Sequence, residues 1–438
     1  MPYRVLITYS TFCSRTAKMW LCLTVLVIFS APYLPLAKAA PNLGEPNDYR
    51  AAILQAQREL GAHHYAVVEP SVGLGLNLQR DNQHLDAVDV LQRALHVNRI
   101  NKGLHHLDHI PIVDLIVHSY LQLGDWQNAE QQQRLRFWIH QRELETATPA
   151  ITEQTVNQFV DASLHYARWK GKSHHVETDK FPFHQLREAQ DALLKARSLM
   201  LEHGRGDDPR YLRLLNNAAI NHYDIVVYLV NNEVDPTTGS YITDQDMTDY
   251  LLRQNIIMEN YRNGTEALEK VTRLTASNSA TTEHAMAALN YANWQLLFDR
   301  PQTASKEYAK AFDAFVKAGW TREAVNRRLG DPERISVFAL DLDILANPSV
   351  KLQTEQYPAL DGEQPFVVVV FDVTQSGQVR NIAIEKSWPE DDRAIRREAR
   401  DRVAFSVFRP ALRDGKPVAK RDMKIRYLFA QNDFKEKI

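Results

Sequence analysis

Residues 366–387 read FVVVVFDVTQSGQVRNIAIEKS. Apart from Asp372, the run Phe366–Val373 is β-branched or aromatic, which suits a strand. Thr374 to Gln378 supply a turn in which Gly377 is free to take a positive φ. Val379–Ile384 returns as a second strand, with Ile382 and Ile384 on one face and Ala383 and Glu385 on the other. The stretch is a β-hairpin at the end of a chain that otherwise reads as helical.

The residues after the hairpin complete a small domain. Ser387-Trp388-Pro389-Glu390-Asp391-Asp392 reads as the opening of a helix, with acids where the helix dipole favours them. Ile395, Ala399 and Val403 share one face of that helix, and Arg396, Arg397 and Arg400 fall outside it. FRPALRDGKPV, residues 408–418, carries a Pro-Ala pair and an Asp-Gly turn. In MKIRYLF, Met423, Ile425, Tyr427 and Phe429 alternate with Lys424, Arg426 and Leu428, the period of a strand. The order is ββαβ, one helix on a small antiparallel sheet.

Upstream, from about residue 48 to 345, the apolar period is helical. LGLNLQRDNQHLDAVDVLQRAL places Leu74, Gly75, Leu78, Ala87, Leu91 and Ala94 at the spacing of a tetratricopeptide unit, and SYLQLGDWQNAE repeats it with Tyr120, Gly124, Trp126 and Ala129. A third unit holds Tyr291, Ala292, Ala304, Tyr308 and Ala311. Looser ones hold Ala189, Leu193 and Ala196, and Ala267. Small residues where helices cross let the axes approach, and a stack buries what one hairpin cannot. Ala87 and Ala129 are further apart than one 34-residue period, which predicts a short insertion at NKGLHHLDHIP. The chain resembles tetratricopeptide proteins over these units, and such a solenoid offers a concave protein-binding surface. The fold class expected is mainly α, a tetratricopeptide-like solenoid over 48–345, a linker at 346–365 and a small α+β domain at 366–430.

The C-terminal domain resembles that of TonB-type energy transducers. The matching marks are VVVVFDVTQSGQVRNIAIEKS, Ser387, and Phe408, Pro410, Ala411, Gly415 and Pro417 of FRPALRDGKPV. The resemblance implies a periplasmic domain that pairs with extended segments of outer-membrane receptors. Physically, a terminal strand is an edge with unpaired backbone groups, and a partner can add as a further strand. The residues expected to carry this are Arg421, Met423, Lys424, Ile425, Arg426 and Tyr427. The cations there favour acidic partner positions, or equally guard the edge against aggregation.

The chain departs from that family in three ways. The N-terminal run WLCLTVLVIFSAPYLPLA is short and has no histidine, whereas the family's anchor engages an inner-membrane motor partly through one. A helical solenoid stands where the family has a Pro-rich spacer. Only ALDGEQP separates Tyr357-Pro358 from Phe366, too little for the family's lead-in helix. The first 39 residues read as an export signal: Arg4, Arg15 and Lys18, then Trp20–Phe29, then Ala37-Lys38-Ala39, with cleavage between Ala39 and Ala40. The apolar run is about half the length of a spanning helix. Cleavage gives a periplasmic protein without Cys13 or Cys22, hence without disulfide or thiol chemistry. Retention gives an inner-membrane protein facing the periplasm, with the motor as a further partner.

The net charge of −2 gives no pull toward nucleic acid. From Phe366 onward sixteen Lys and Arg stand against eleven Asp and Glu, which suits an acidic partner surface, an anionic membrane face or simply a solvated helix face. No catalytic motif appears in a supporting context, so the expectation is a binding protein, with no enzyme activity and no cofactor. His105 and His109, and the pairs His63-His64 and His174-His175, have spacings that zinc sites use, but they read as surface histidines. The runner-up to an exported interaction protein is an anchored energy transducer.

Overall fold

The computed structural model describes residues 45–147, 151–173, 182–231, 247–277, 281–335 and 365–429. Ala39, Ala40, His174-His175 and 346–364 of the expected linker lie outside them. The described residues are mainly helical, with consecutive helices packed on one another and a small sheet at the C-terminal end. Residues among 27–176 and 191–203 form one compact unit, and those among 177–190 and 204–438 form another.

The first unit runs through α1 (Pro46–Leu60), α2 (Val68–Arg80), α3 (His84–Lys102), α4 (Ile110–Gln122), α5 (Trp126–Thr146), α6 (Glu153–Ser173) and the later half of α7 (Pro182–Glu202). Gly75 marks the crossing of α2 and α3, since a Cβ there would stand 2.6 Å from Leu91 Cδ2. Gly73 is matched to the Tyr49 ring of α1 in the same way. The Gly-Leu-Gly of α2 therefore serves helix packing. Leu74, Leu78, Ala87, Leu91, Ala94 and Ala129 join one buried cluster.

Three of the helical hairpins share one turn. Asn82 (φ 56°), Gly124 (φ 72°) and Asp299 (φ 53°) each take the left-handed conformation in a three-residue link. In each link the following N–H closes back on the helix: Gln83 to Leu78 O, Asp125 to Tyr120 O and Arg300 to Gln295 O. These bonds satisfy carbonyls that a helix end leaves orphaned.

The predicted insertion at NKGLHHLDHIP is not an insertion. Gly61, His63 and His64 recur forty-two residues later as Gly103, His105 and His106, the same offset as Ala87 to Ala129. His64 Nδ1 accepts the Ala66 N–H, and His106 Nδ1 accepts the Asp108 N–H, each capping a short 3-10 turn ahead of a helix. His63 packs edge-on against His96, and His105 against Trp138, again forty-two residues apart. The segment belongs to a longer repeat.

The second unit holds the start of α7, α8 (Pro209–Asn231), α9 (Met247–Ala276), α10 (Thr282–Leu297), α11 (Pro301–Lys317) and α12 (Arg322–Leu329). Pro301 opens α11 where its missing N–H costs nothing. Ala304, Tyr308, Ala311, Phe312 and Phe315 then recur on one buried face. Each of those phenylalanines contributes about 2 kcal/mol by leaving water.

Beyond α12 come β1 (Glu333–Arg334), β2 (Phe366–Val373), β3 (Val379–Trp388), α13 (Arg393–Ala404), β4 (Phe408–Arg409), β5 (Ala411–Arg413), β6 (Lys416–Val418) and β7 (Lys420–Leu428). The expected ββαβ order is present with additions. β3 runs on through Ser387 and Trp388, which pair with Val367 and Phe366. The helix expected to open there begins at Arg393, where Asp392 Oδ1 accepts the N–H groups of Ala394 and Ile395. FRPALRDGKPV forms strands: β4 pairs with β1, and β5 with β6 across Asp414-Gly415, both at positive φ as a two-residue hairpin turn demands. Within the tract expected to be helical to 345, α12 ends at Leu329 and Glu333–Arg334 forms β1, and residues 336–345 lie outside the described residues.

Close approach in α9 gives a testable outcome. A Cβ on Gly264 would overlap Trp294 Cζ2, and Trp294 is fully buried. Gly264→Ala should lower stability by about 2 kcal/mol through overpacking. At an unobstructed helical site alanine would instead add about 1 kcal/mol. Thermal unfolding reads the sign.

Candidate functional site

The main sheet has the order β3-β2-β7, all antiparallel, so among the described residues β2 is central and both neighbours are edges. Val367, Val369, Phe371 and Val373 of β2 are fully buried against Ile395, Ala399 and Val403 of α13. Burial of one face fixes the register, because a one-residue slip would turn those side chains to the other side.

The two edges differ. β3 slips register against β2 twice, between Val368 and Val369 and between Val370 and Asp372, and Asn381 takes a φ of 53°. Such bulges bend an edge and spoil it as a template. β7 runs in unbroken register from Phe366↔Leu428 to Phe371↔Met423, and its shift comes only beyond that, between Phe371 and Val373. There Asp422 (φ 56°) gives its N–H to Asp372 Oδ1, and Asn381 donates to Asp372 Oδ2 at 2.7 Å. These bonds hold the Asp372 carboxyl below its ordinary pKa, with Asn381 contributing most.

Backbone parity decides which groups of β7 a partner would meet. The Phe429 N–H donates to Pro365 O at 2.9 Å. In antiparallel pairing, residues that exchange bonds recur every second position. The amides of Tyr427, Ile425 and Met423 therefore face β2, and those of Lys424 and Leu428 face away. Among the described residues β7 pairs with β2 alone.

The expected site residues divide accordingly. Met423, Ile425 and Tyr427 point their side chains to the α13 face and join its core. Burial raises the Tyr427 hydroxyl pKa, and the Arg402 guanidinium lies 5.8 Å from its ring. Lys424 and Arg426 lie on the opposite face, where Lys424 pairs with Glu385 and Arg426 stacks 4.0 Å over Phe366. Arg421 is exposed at the register shift, off the straight segment. Five of the six expected residues thus lie on the straight strand.

A second set had no signal in the sequence. Arg409 is buried at 2% exposure. Its Nη1 donates to Leu329 O at 2.9 Å and to Pro410 O at 3.1 Å, and its Nη2 to Asp331 O at 2.9 Å and Glu333 Oε2 at 3.3 Å. It ties the sheet to the end of α12. Burial pulls its pKa down and the Glu333 charge opposes that. Nearby, Asp414 receives Asn326 Nδ2 and Arg322, and gives its N–H to Asn326 Oδ1. Gly415 sits so close to α11 that a Cβ would reach Ala309 Cα at 3.0 Å. Partners 76–92 residues away in sequence leave no local pattern to read.

Other chemistry is sparse. Among the described residues no group of three or more His, Cys, Asp or Glu is arranged to hold a metal ion. His109 is buried, with Nε2 at 2.6 Å from Gly103 O and Nδ1 at 3.1 Å from Asn98. Burial lowers its pKa. Among the described residues no helix is long and apolar enough to cross a membrane. No protein-family model matches the chain, and a search of curated proteins finds no match.

Two outcomes are expected here. Arg409→Met leaves three backbone carbonyls and Glu333 without their cation and should cost about 3 kcal/mol in a denaturant titration. Asp224 of α8 is buried, and burial alone raises its carboxyl pKa well above 3.8. A raised folded value means that stability is greatest below 3.8 and falls as pH rises toward the folded pKa. Asp224→Asn should therefore raise the melting temperature at pH 7, and the gain should vanish on titration below 3.8.

Proposed function

We propose that this is an exported protein-interaction protein whose TonB-like C-terminal domain captures an extended partner segment as a fourth strand on β7. The observation that carries this reading is the contrast between edges: β3 is bulged twice, and β7 is straight over 423–428 with the Lys424 and Leu428 amides facing outward. A partner there gains main-chain hydrogen bonds, and its alternate side chains meet Lys424 and Leu428 on one face and the α13 side on the other. Lys424 favours an acidic residue opposite it. Helices α10, α11 and α12 of the same unit carry the domain. The setting that suits the resemblance is the periplasm, with outer-membrane transport proteins as partners.

Parity sets the test. Proline at an outward position of an edge strand removes only the outward N–H, whereas proline at an inward one breaks the ladder. Lys424→Pro should keep its melting temperature within a few degrees, and Ile425→Pro should unfold the domain. A photocrosslinker at Leu428 in intact cells should join the protein to one extended segment of an envelope protein, and Lys424→Pro should reduce that yield about tenfold. Unchanged crosslinking in the folded Lys424→Pro protein would sink strand addition.

A further inference from the structure

The opposite edge of the sheet meets α13 in a groove of about 590 Å³. Its floor is apolar, from Ile382 and Ile384 of β3 and Ala404 of α13, and its rim carries Arg396, Arg397 and Arg400. The helix builds this arrangement from its own period. Ile395, Ala399 and Val403 take the inward face, so residues one step on, Arg396, Arg400 and Ala404, look over the β3 edge. We propose that this groove is a second docking site, for an acidic peptide segment that carries a large apolar side chain.

Charge and shape support that occupant. The only carboxylate in the lining is Asp401, set 3.8 Å from Arg397, so three guanidinium groups face one acid. Arg396 uses one N–H on Glu390 O at 3.1 Å. Each guanidinium has five donors in a planar fork that fits a carboxylate with two parallel bonds. Phe405 also lines the groove and is 75% exposed, the most exposed large hydrophobic side chain among the described residues. A large exposed aromatic beside arginines is the composition of an interface anchor. The register shifts of β3 argue against another added strand here, so recognition runs through side chains. The recessed floor fits an inserted side chain better than a flat lipid surface.

This site stands apart from β7, and the two fail separately. The test is fluorescence anisotropy of the full chain with a labelled, end-capped octapeptide that has a central Leu-Phe pair flanked by Glu and Asp. A peptide with lysine in place of each acid serves as control. The acidic peptide should bind, more weakly as salt rises. Arg397→Glu with Arg400→Glu should weaken it at least tenfold, Phe405→Ser about threefold, and Lys424→Pro not at all. Arg397→Gln with Arg400→Gln serves if charge reversal disturbs folding. Absence of binding, equal binding of the basic peptide, or undiminished binding by the arginine variants overturns the proposal. So does adsorption to phosphatidylglycerol vesicles that the acidic peptide fails to displace.

Discussion

The amides of a β-strand alternate in direction, and a strand with one neighbour can satisfy only half of them within its sheet. In this protein β2 has two neighbours and is complete, whereas β3 and β7 have one each among the described residues. The rest of the C-terminal architecture depends on how those two incomplete strands are treated. β3 is kinked at two places and faced with an arginine-lined groove. β7 is left straight, and its inner face is pinned by Met423, Ile425 and Tyr427 against the core under α13. The network of Asp372, Asn381 and Asp422 confines the irregularity to one end, beyond the six residues in register.

Arg409 and its neighbours give this edge a mount. A small sheet with one helix buries little apolar area by itself. The strands around FRPALRDGKPV extend that core by packing Leu412 into the cluster formed by α10, α11 and α12. Gly377 contributes from the other side: a Cβ on it would overlap Phe408 O and press Leu296 of α10 at 2.8 Å. Two glycines at positive φ, Gly377 and Gly415, are thus points where the sheet comes very close to the helices. This mount is built on the β4–β6 side of the domain, and among the described residues the outer edge of β7 has no strand beside it.

Much of this was legible in the sequence. The hairpin of residues 366–384, the alternation in 423–429 and the apolar face of α13 are periodic signals, and periodicity survives folding because it reflects which face is buried. The small residues at helix crossings were legible for the same reason, since Ala87, Ala129, Ala304 and Ala311 are fully buried. The forty-two-residue repeat was harder to see because the Ala87–Ala129 spacing alone reads equally as a 34-residue unit with an insertion. Its clearest marks are the paired histidines, whose capping bonds are local and repeat as faithfully. The strand character of FRPALRDGKPV and the role of Arg409 were not legible. Both depend on pairing with Glu333 and Arg334 and on carbonyls at the end of α12, and nothing in a linear pattern brings those segments together. The direction of each β7 amide was equally hidden, since side-chain alternation does not say which neighbour a strand pairs with.

Strand addition at β7 requires that its outward amides lack a strand partner in the free protein and gain one in the complex. Residue-resolved amide hydrogen exchange on the full chain, alone and with the crosslinked partner segment as a synthetic peptide, tests it most directly. Slow exchange is expected at Met423, Ile425 and Tyr427 in both samples, with Lys424 and Leu428 fast alone and slow in the complex. Slow exchange at Lys424 and Leu428 in the isolated protein, or fast exchange there in the complex, would contradict it.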